Sequence, residues 1–595
     1  MIRATLIAIA LIASTAAIAE DWTTPAEAAK FRTTPTYAET HAYLERLAAA
    51  APARIHLTRF GVSPEGRDLM LVIASSSGEA TPEAAHASGK QIVFVQAGIH
   101  AGEIEGKDAG LMLLRDLSVA GKLPHALDHT ILLYAPLYNV DGHENRSAYN
   151  RINQNGPAET GFRANAQKLN LNRDYMKADA AETRAWLQLW NAWLPDLFVD
   201  VHTTDGADYQ YDLTWYTEDG TPLDDGIKAW QEQALKQRVF SQMEKRGHLL
   251  SPYLELKDHR DITQGIVNFG SGPRFATGYV ALQNRPPLLV ETHMLKPYAT
   301  RVRATYDLIA LILDELEAHP GELHRVVTAA DRSTIARAGS SDATLPILYK
   351  TSDTSQPFKL KGVAFSQTRS DVSGDIWTQY DPAKPKTYTV PFWRDLVASE
   401  RAALPAAYLV PAGWPAPIDK LREHGLRIET TTRAISTRVR ASWLSEPRWA
   451  KRPFEGRVML DDFKTRTAAE TQTFAAGAVL VALDQRAANV AANLLEARAP
   501  DSLLRWGFFN AIFEQKEEPD ARVSERLARE ILAADPALAK EFEGRLAGDA
   551  AFAANPEARL NFFYERSPWY QGEHVGRYPV VALDAAALAA IRAAR

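Results

Sequence analysis

Hydrophobic and polar positions in the first half of this chain switch repeatedly between strand-like and helix-like spacing. Residues 37–50 recur with helical spacing, and 55–60 and 68–74 read as strands around the turn Ser63-Pro64-Glu65-Gly66. An unbroken apolar run at 91–97, ending at Gly98, has the texture of a strand buried on both faces. A helix at 105–117, an apolar run at 130–136, a helix at 183–194 and a strand at 196–201 continue the alternation. A long excursion follows, with a β-like piece at 209–217 and a charged helix at 226–246, before a strand at 287–291 and a helix at 302–317. Such alternation predicts an α/β fold, a sheet with helices on both faces.

Past about residue 325 the texture changes. Strand-like segments crowd together at 346–349, 358–365, 387–392 and 407–410. An apolar run at 477–483 then gives way to helical stretches at 487–496, 521–533 and 536–546. A chain of 595 residues is too long for one hydrophobic core. The expected organisation is an N-terminal leader over 1–19, an α/β domain over 20–325, a β-rich accessory domain over 326–450, and a mixed α/β region over 451–595.

Composition narrows the chemistry. A formal net charge of -6 gives no electrostatic reason to expect nucleic acid or an anionic membrane as partner. Arg3, the apolar run 6–13 and the small residues Ala17 and Ala19 have the layout of a signal peptide cut before Glu20. No later stretch reaches the ~20 apolar residues of a membrane span. The expectation is an exported protein, periplasmic or secreted. With no cysteine, disulfides, thiolate metal sites and thiol nucleophiles drop out, so any metal must rest on His, Asp and Glu.

Two such groups stand together in His100-Ala101-Gly102-Glu103, directly after the strand at 91–97. A His and a carboxylate three residues apart in a turn can converge on one ion. His202 ends a second apolar strand, and ligands of open α/β sheets gather at the carboxyl ends of the strands. Two imidazoles and one carboxylate leave a coordination position for water, as catalytic rather than structural zinc requires. Glu291 ends a third apolar strand, where an ionised group is costly without a task or a partner, and is the general-base candidate. Asn172 and Arg173 are adjacent, with Arg151 upstream; an Arg fork with an Asn donor suits a free carboxylate.

Taken in order, Gly61-Val62-Ser63-Pro64-Glu65-Gly66-Arg67, His100-Ala101-Gly102-Glu103, Asn139-Val140-Asp141-Gly142, Asn172-Arg173, His202 and Glu291 resemble the zinc carboxypeptidase family, in its carboxypeptidase A and bacterial murein-peptide branches. The resemblance spans about residues 37–317. It implies a mixed, mostly parallel sheet flanked by helices, one zinc ion on His100, Glu103 and His202, and Glu291 as the base for the attacking water. It also implies Asn172 and Arg173 as the clamp for a terminal carboxylate, and Arg151 as holder of the oxyanion with Arg146 in competition. The implied substrate is a peptide or muropeptide.

The chain departs from the family at three places. Asn170 stands where a carboxylate usually supports the first His, Gly102 stands where digestive members carry an Arg, and the mobile capping Tyr has only Tyr279 as a nearby option. The rival readings are a zinc deacylase or amidase on acylated amino acids or muropeptides, and a noncatalytic peptide or cell-wall binding protein.

Overall fold

The computed structural model describes residues 21–593 apart from 219, 221, 222, 269, 341, 571 and 573, so the expected signal peptide lies outside the described residues. The first ten strands are β1 (Ile55–Val62), β2 (Asp68–Ala74), β3 (Gln91–Ala97), β4 (Thr130–Ala135), β5 (Leu197–Thr204), β6 (Leu213–Tyr216), β7 (Leu250–Pro252), β8 (Glu255–Leu256), β9 (Ile266–Val267) and β10 (Pro287–His293). Eight of them form one sheet in the order β1-β2-β4-β3-β5-β10-β6-β7. Its centre, β4-β3-β5-β10, is parallel throughout, and the β1-β2, β2-β4 and β10-β6 pairs are antiparallel. The fold is the α/β sheet expected from the alternation, with the mixed, mostly parallel pairing that the resemblance implies.

Strand periodicity builds both faces of this sheet. Along β3, Phe94 packs into a cluster with Trp186, Phe198 and Tyr279, whereas Val93 and Val95 pack on the other side with Leu111, Leu114 and Leu308. The helix Glu105–Leu117 lies close against the sheet because Gly106 has no side chain: a Cβ there would stand 2.7 Å from Ala97 and 2.9 Å from Val201. That close approach holds the turn carrying His100 and Glu103 over the ends of β3 and β5.

Two expected elements differ in detail. The helix at 226–246 is α at Asp225–Trp230, π at Gln231–Val239 and α again at Phe240–Lys245; its wider turn keeps Trp230, Leu235 and Val239 buried together, which a 3.6-residue pattern does not announce. The β-like piece at 209–217 is a strand only over Leu213–Tyr216, because Gln210 donates its backbone N–H to Lys361 and Tyr209 bridges to Gly362.

Strands β11 (Thr344–Thr351), β12 (Gln356–Arg369), β13 (Ile376–Trp393) and β14 (Leu396–Ala403) follow, with β12 and β13 joined to β9 and β8 of the excursion in one sheet. A six-stranded sheet draws on β15 (Ala407–Val410), β16 (Glu429–Thr430), β17 (Ile435–Trp449), β18 (Leu460–Phe474), β19 (Val479–Ala482) and β20 (Val581–Leu583). Its apolar face is continuous with the first sheet: one core cluster runs from Trp186 and Tyr279 to Tyr408, Val481 and Leu504. Among the described residues no helix is long and apolar enough to cross a membrane.

Candidate metal centre and active site

His100, Glu103 and His202 meet at the carboxyl ends of β3 and β5, their donor atoms all within 4.8 Å of one another. His100 Nδ1 lies 3.2 Å from Glu103 Oε1, and His202 Nδ1 lies 3.0 Å from Glu103 Oε2. Both imidazoles present Nδ1 to the centre and turn Nε2 outward, His100 to Asn170 Oδ1 at 3.1 Å and His202 to Asp200 Oδ2 at 2.9 Å. A proton held on Nε2 by these acceptors leaves each Nδ1 lone pair free for a metal. Burial pushes His100 down to about 4, so it stays neutral at ordinary pH. Burial also opposes charge on His202, but Asp200 and Glu103 outweigh it and raise that imidazole well above its usual value. Two nitrogens and a carboxylate converging with their outward atoms already satisfied fit a zinc ion.

Asp200 is not singled out by the sequence. It lies two positions before His202 on the same strand, so both side chains share one face, and period-two alternation was the available signal. Its Oδ1 accepts from Gln96 Nε2 at 3.1 Å. The carboxylate absent behind His100, where Asn170 stands, is therefore present behind His202.

The cleft over these donors holds about 320 Å³ and is lined also by Asn150, Arg151, Arg163, Tyr253 and Glu291. Parallel pairing places Glu291 directly beside His202. Its Oε2 is buried without a hydrogen-bond donor among the described residues. Burial, helped by Glu103, Asp200 and Glu105 against the pull of His202, pushes its carboxyl up to about 8. Arg151 donates from Nη2 to Glu103 Oε1 at 2.8 Å. A Cβ on Gly102 would stand 2.6 Å from Arg151 Cγ, so the glycine that departs from digestive carboxypeptidases makes room for the Arg151 stem. Arg163, not singled out from the sequence, reaches Glu103 at 3.4 Å.

The remaining candidates lie elsewhere. Arg146 turns away to the Thr34 carbonyl at 3.2 Å and does not line the cleft. Tyr279 is fully buried, its hydroxyl 2.8 Å from His424 Nδ1, and cannot serve as a mobile cap. Asn172 accepts the Ala276 N–H at 2.9 Å, and Arg173 lies 4.1 Å over the ring of Phe275, lining a neighbouring cavity of about 320 Å³ with Arg274, Leu282 and Asp501. Asp141 of the Asn139–Gly142 turn accepts from Ser63 Oγ and Arg67 Nη1, each at 2.7 Å, so those two motif segments brace each other rather than the reacting atoms.

The family model described as zinc carboxypeptidase matches residues 40–247. Probable carboxypeptidase 2 of Arthroderma benhamiae is 23% identical over 457 residues, covering 74% of this chain and 80% of that protein. Carboxypeptidase 2 of Trichophyton rubrum is 24% identical over 461 residues, 75% of this chain and 78% of the relative. Among solved structures, the metallo-carboxypeptidase of Burkholderia cenocepacia superposes with a TM-score of 0.37 at 17% identity, over 48% of this chain and 70% of that one. Carboxypeptidase A of Helicoverpa armigera gives 0.37 at 16% identity, over 52% and 79%. Residues 40–247 thus match the zinc carboxypeptidase family, metallopeptidases that work with one zinc ion, and His100, Glu103 and His202 all lie within the matched residues.

Proposed function

We propose that this protein hydrolyses the C-terminal amide bond of peptides, with zinc held by His100, Glu103 and His202. The observation that carries this reading is the convergence of the three donors with Glu291 and Arg151 in one cleft. Zinc bound there supplies Lewis acidity, lowering the pKa of a water toward 7 and polarising the scissile carbonyl. Glu291, with a buried acceptor oxygen and a raised pKa, takes the proton of the attacking water and returns it to the leaving nitrogen. Arg151, held over the cleft by its bond to Glu103, donates to the oxyanion as it develops. Arg173 anchors the terminal carboxylate: its guanidinium has no carboxylate partner within salt-bridge distance among the described residues, and burial pushes its pKa down to about 10, so a substrate anion relieves a standing cost. The N-terminal pattern supports export to the periplasm or medium.

The anchor sets the test. A peptide with a free C-terminus is cleaved, and the same peptide amidated there is expected to lose at least about 100-fold in kcat/KM, as the loss of a buried charge-assisted bond predicts. Equal cleavage of the two, measured by mass spectrometry, rejects exopeptidase action in favour of a deacylase or amidase. The paired supports behind the imidazoles give a second expectation. Asp200→Asn weakens zinc binding by roughly 10- to 100-fold and Asn170→Asp strengthens it, as read by competition with a chromogenic chelator.

A further inference from the structure

The C-terminal half reaches the metal centre through one turn. In the connection between β17 and β18, Phe454 and Arg457 exchange both backbone hydrogen bonds, at 2.8 and 3.1 Å. Glu455 and Gly456 between them have φ of 48° and 80°. Two consecutive left-handed residues in a two-residue loop make a type I′ turn, which fixes where its first side chain points. That side chain, Glu455, accepts the backbone N–H of Asn170 at 2.7 Å. Asn170 Oδ1 in turn accepts from His100 Nε2 at 3.1 Å and from the Asn172 N–H at 3.0 Å.

The turn is pinned on both sides. Arg457 binds both carboxylate oxygens of Asp179, at 2.6 and 2.8 Å, and lies 3.9 Å over Phe508. Phe454 stacks on Trp506 with ring centroids 6.1 Å apart. A Cβ on Gly456 would stand 3.3 Å from Leu169, so the tip is pressed onto the segment that carries Asn170.

We propose that Glu455 is a positioning residue for the active site, supplied by the C-terminal region: it fixes Asn170, and through it His100 and Asn172. The proposal rests on the reading of His100 as a metal donor and not on exopeptidase action. This gives the C-terminal region a task at the reaction centre, since residues 40–247 alone lack the group that holds Asn170.

Three variants of the full-length protein separate the bond from the charge. Glu455→Asn suits a left-handed turn position but is one methylene too short to reach Asn170. Glu455→Asp has the same short reach and keeps the charge. Glu455→Gln keeps reach and acceptor and loses the charge. The Kd for zinc, measured by chelator competition, is expected to rise roughly threefold to tenfold in the Asn and Asp variants, below the 10- to 100-fold typical of a direct partner of a ligand. In the Gln variant it stays within about twofold of the parent. Unchanged zinc affinity in folded Asn and Asp variants overturns the proposal, whatever peptide hydrolysis shows. Zinc affinity lost equally in the Gln variant also overturns it, because the acceptor is then not what matters.

Discussion

Glu291→Gln is expected to lower kcat by about 10²- to 10⁴-fold, the usual span for removing a general base, while one zinc ion per chain remains bound. The amide keeps the shape of the carboxyl group but takes no proton from water. The three proposed metal donors are other residues, so zinc content by atomic absorption should match the parent. A variant that stays active would remove Glu291 from the mechanism. The same substitution has a stability signature in metal-free protein. Burial and three neighbouring carboxylates push the Glu291 carboxyl from 4.5 up to about 8, so the folded chain keeps a proton that the unfolded chain releases. The stability gained from that proton is complete below about pH 4.5 and is lost as pH rises through about 8. Gln does not titrate, so Glu291→Gln should become progressively more stable than the parent over that window. The gain approaches about 5 kcal/mol, less what solvent at the mouth of the cleft screens. Denaturant unfolding at pH 5 and pH 9 with a chelator present reads the difference.

Removing the metal, or either imidazole proposed to hold it, is expected to abolish hydrolysis. Zinc at about 1,000 times its Kd should stabilise the folded chain by about 4 kcal/mol over the chelated protein. His100→Ala and His202→Ala should both eliminate that increment, yet differ without metal. His100 leans on the neutral Asn170, so its loss leaves an amide that still accepts from the Asn172 N–H. His202 leans on the fully buried carboxylate of Asp200, which among the described residues keeps only the Gln96 side chain when the imidazole is gone. Stranding a buried charge costs about 3–5 kcal/mol. Chelated His202→Ala should therefore unfold at distinctly lower denaturant than chelated His100→Ala. Equal midpoints would mean that the folded chain does not depend on the bond between His202 and Asp200.

Local pattern carried much of this fold. The runs at 91–97 and 105–117 appear as the strand Gln91–Ala97 and the helix Glu105–Leu117 because burial on both faces and helical spacing are written in consecutive residues. The His100 to Glu103 turn was legible for the same reason, being a single turn after a strand. Parallel pairing then had few ways to bring His202 and Glu291 to the same edge, since both end apolar strands.

What the tertiary structure alone decided are contacts made by long side chains across large sequence distances. The Glu455 carboxylate meets a backbone N–H 285 positions away, and no local spacing encodes that meeting. Arg151 rather than Arg146 faces the cleft because Gly102 makes space for its stem, a matter of volume and not of period. Tyr279 is held in the core by His424, a residue 145 positions further along the chain. The sequence by itself determined the sheet, the donor types and their place at strand ends, because these follow from backbone periodicity. Packing decided which arginine faces the three donors, which imidazole has a carboxylate behind it, and that Glu455 of the C-terminal region meets Asn170, because each depends on side-chain volume and charge meeting in three dimensions.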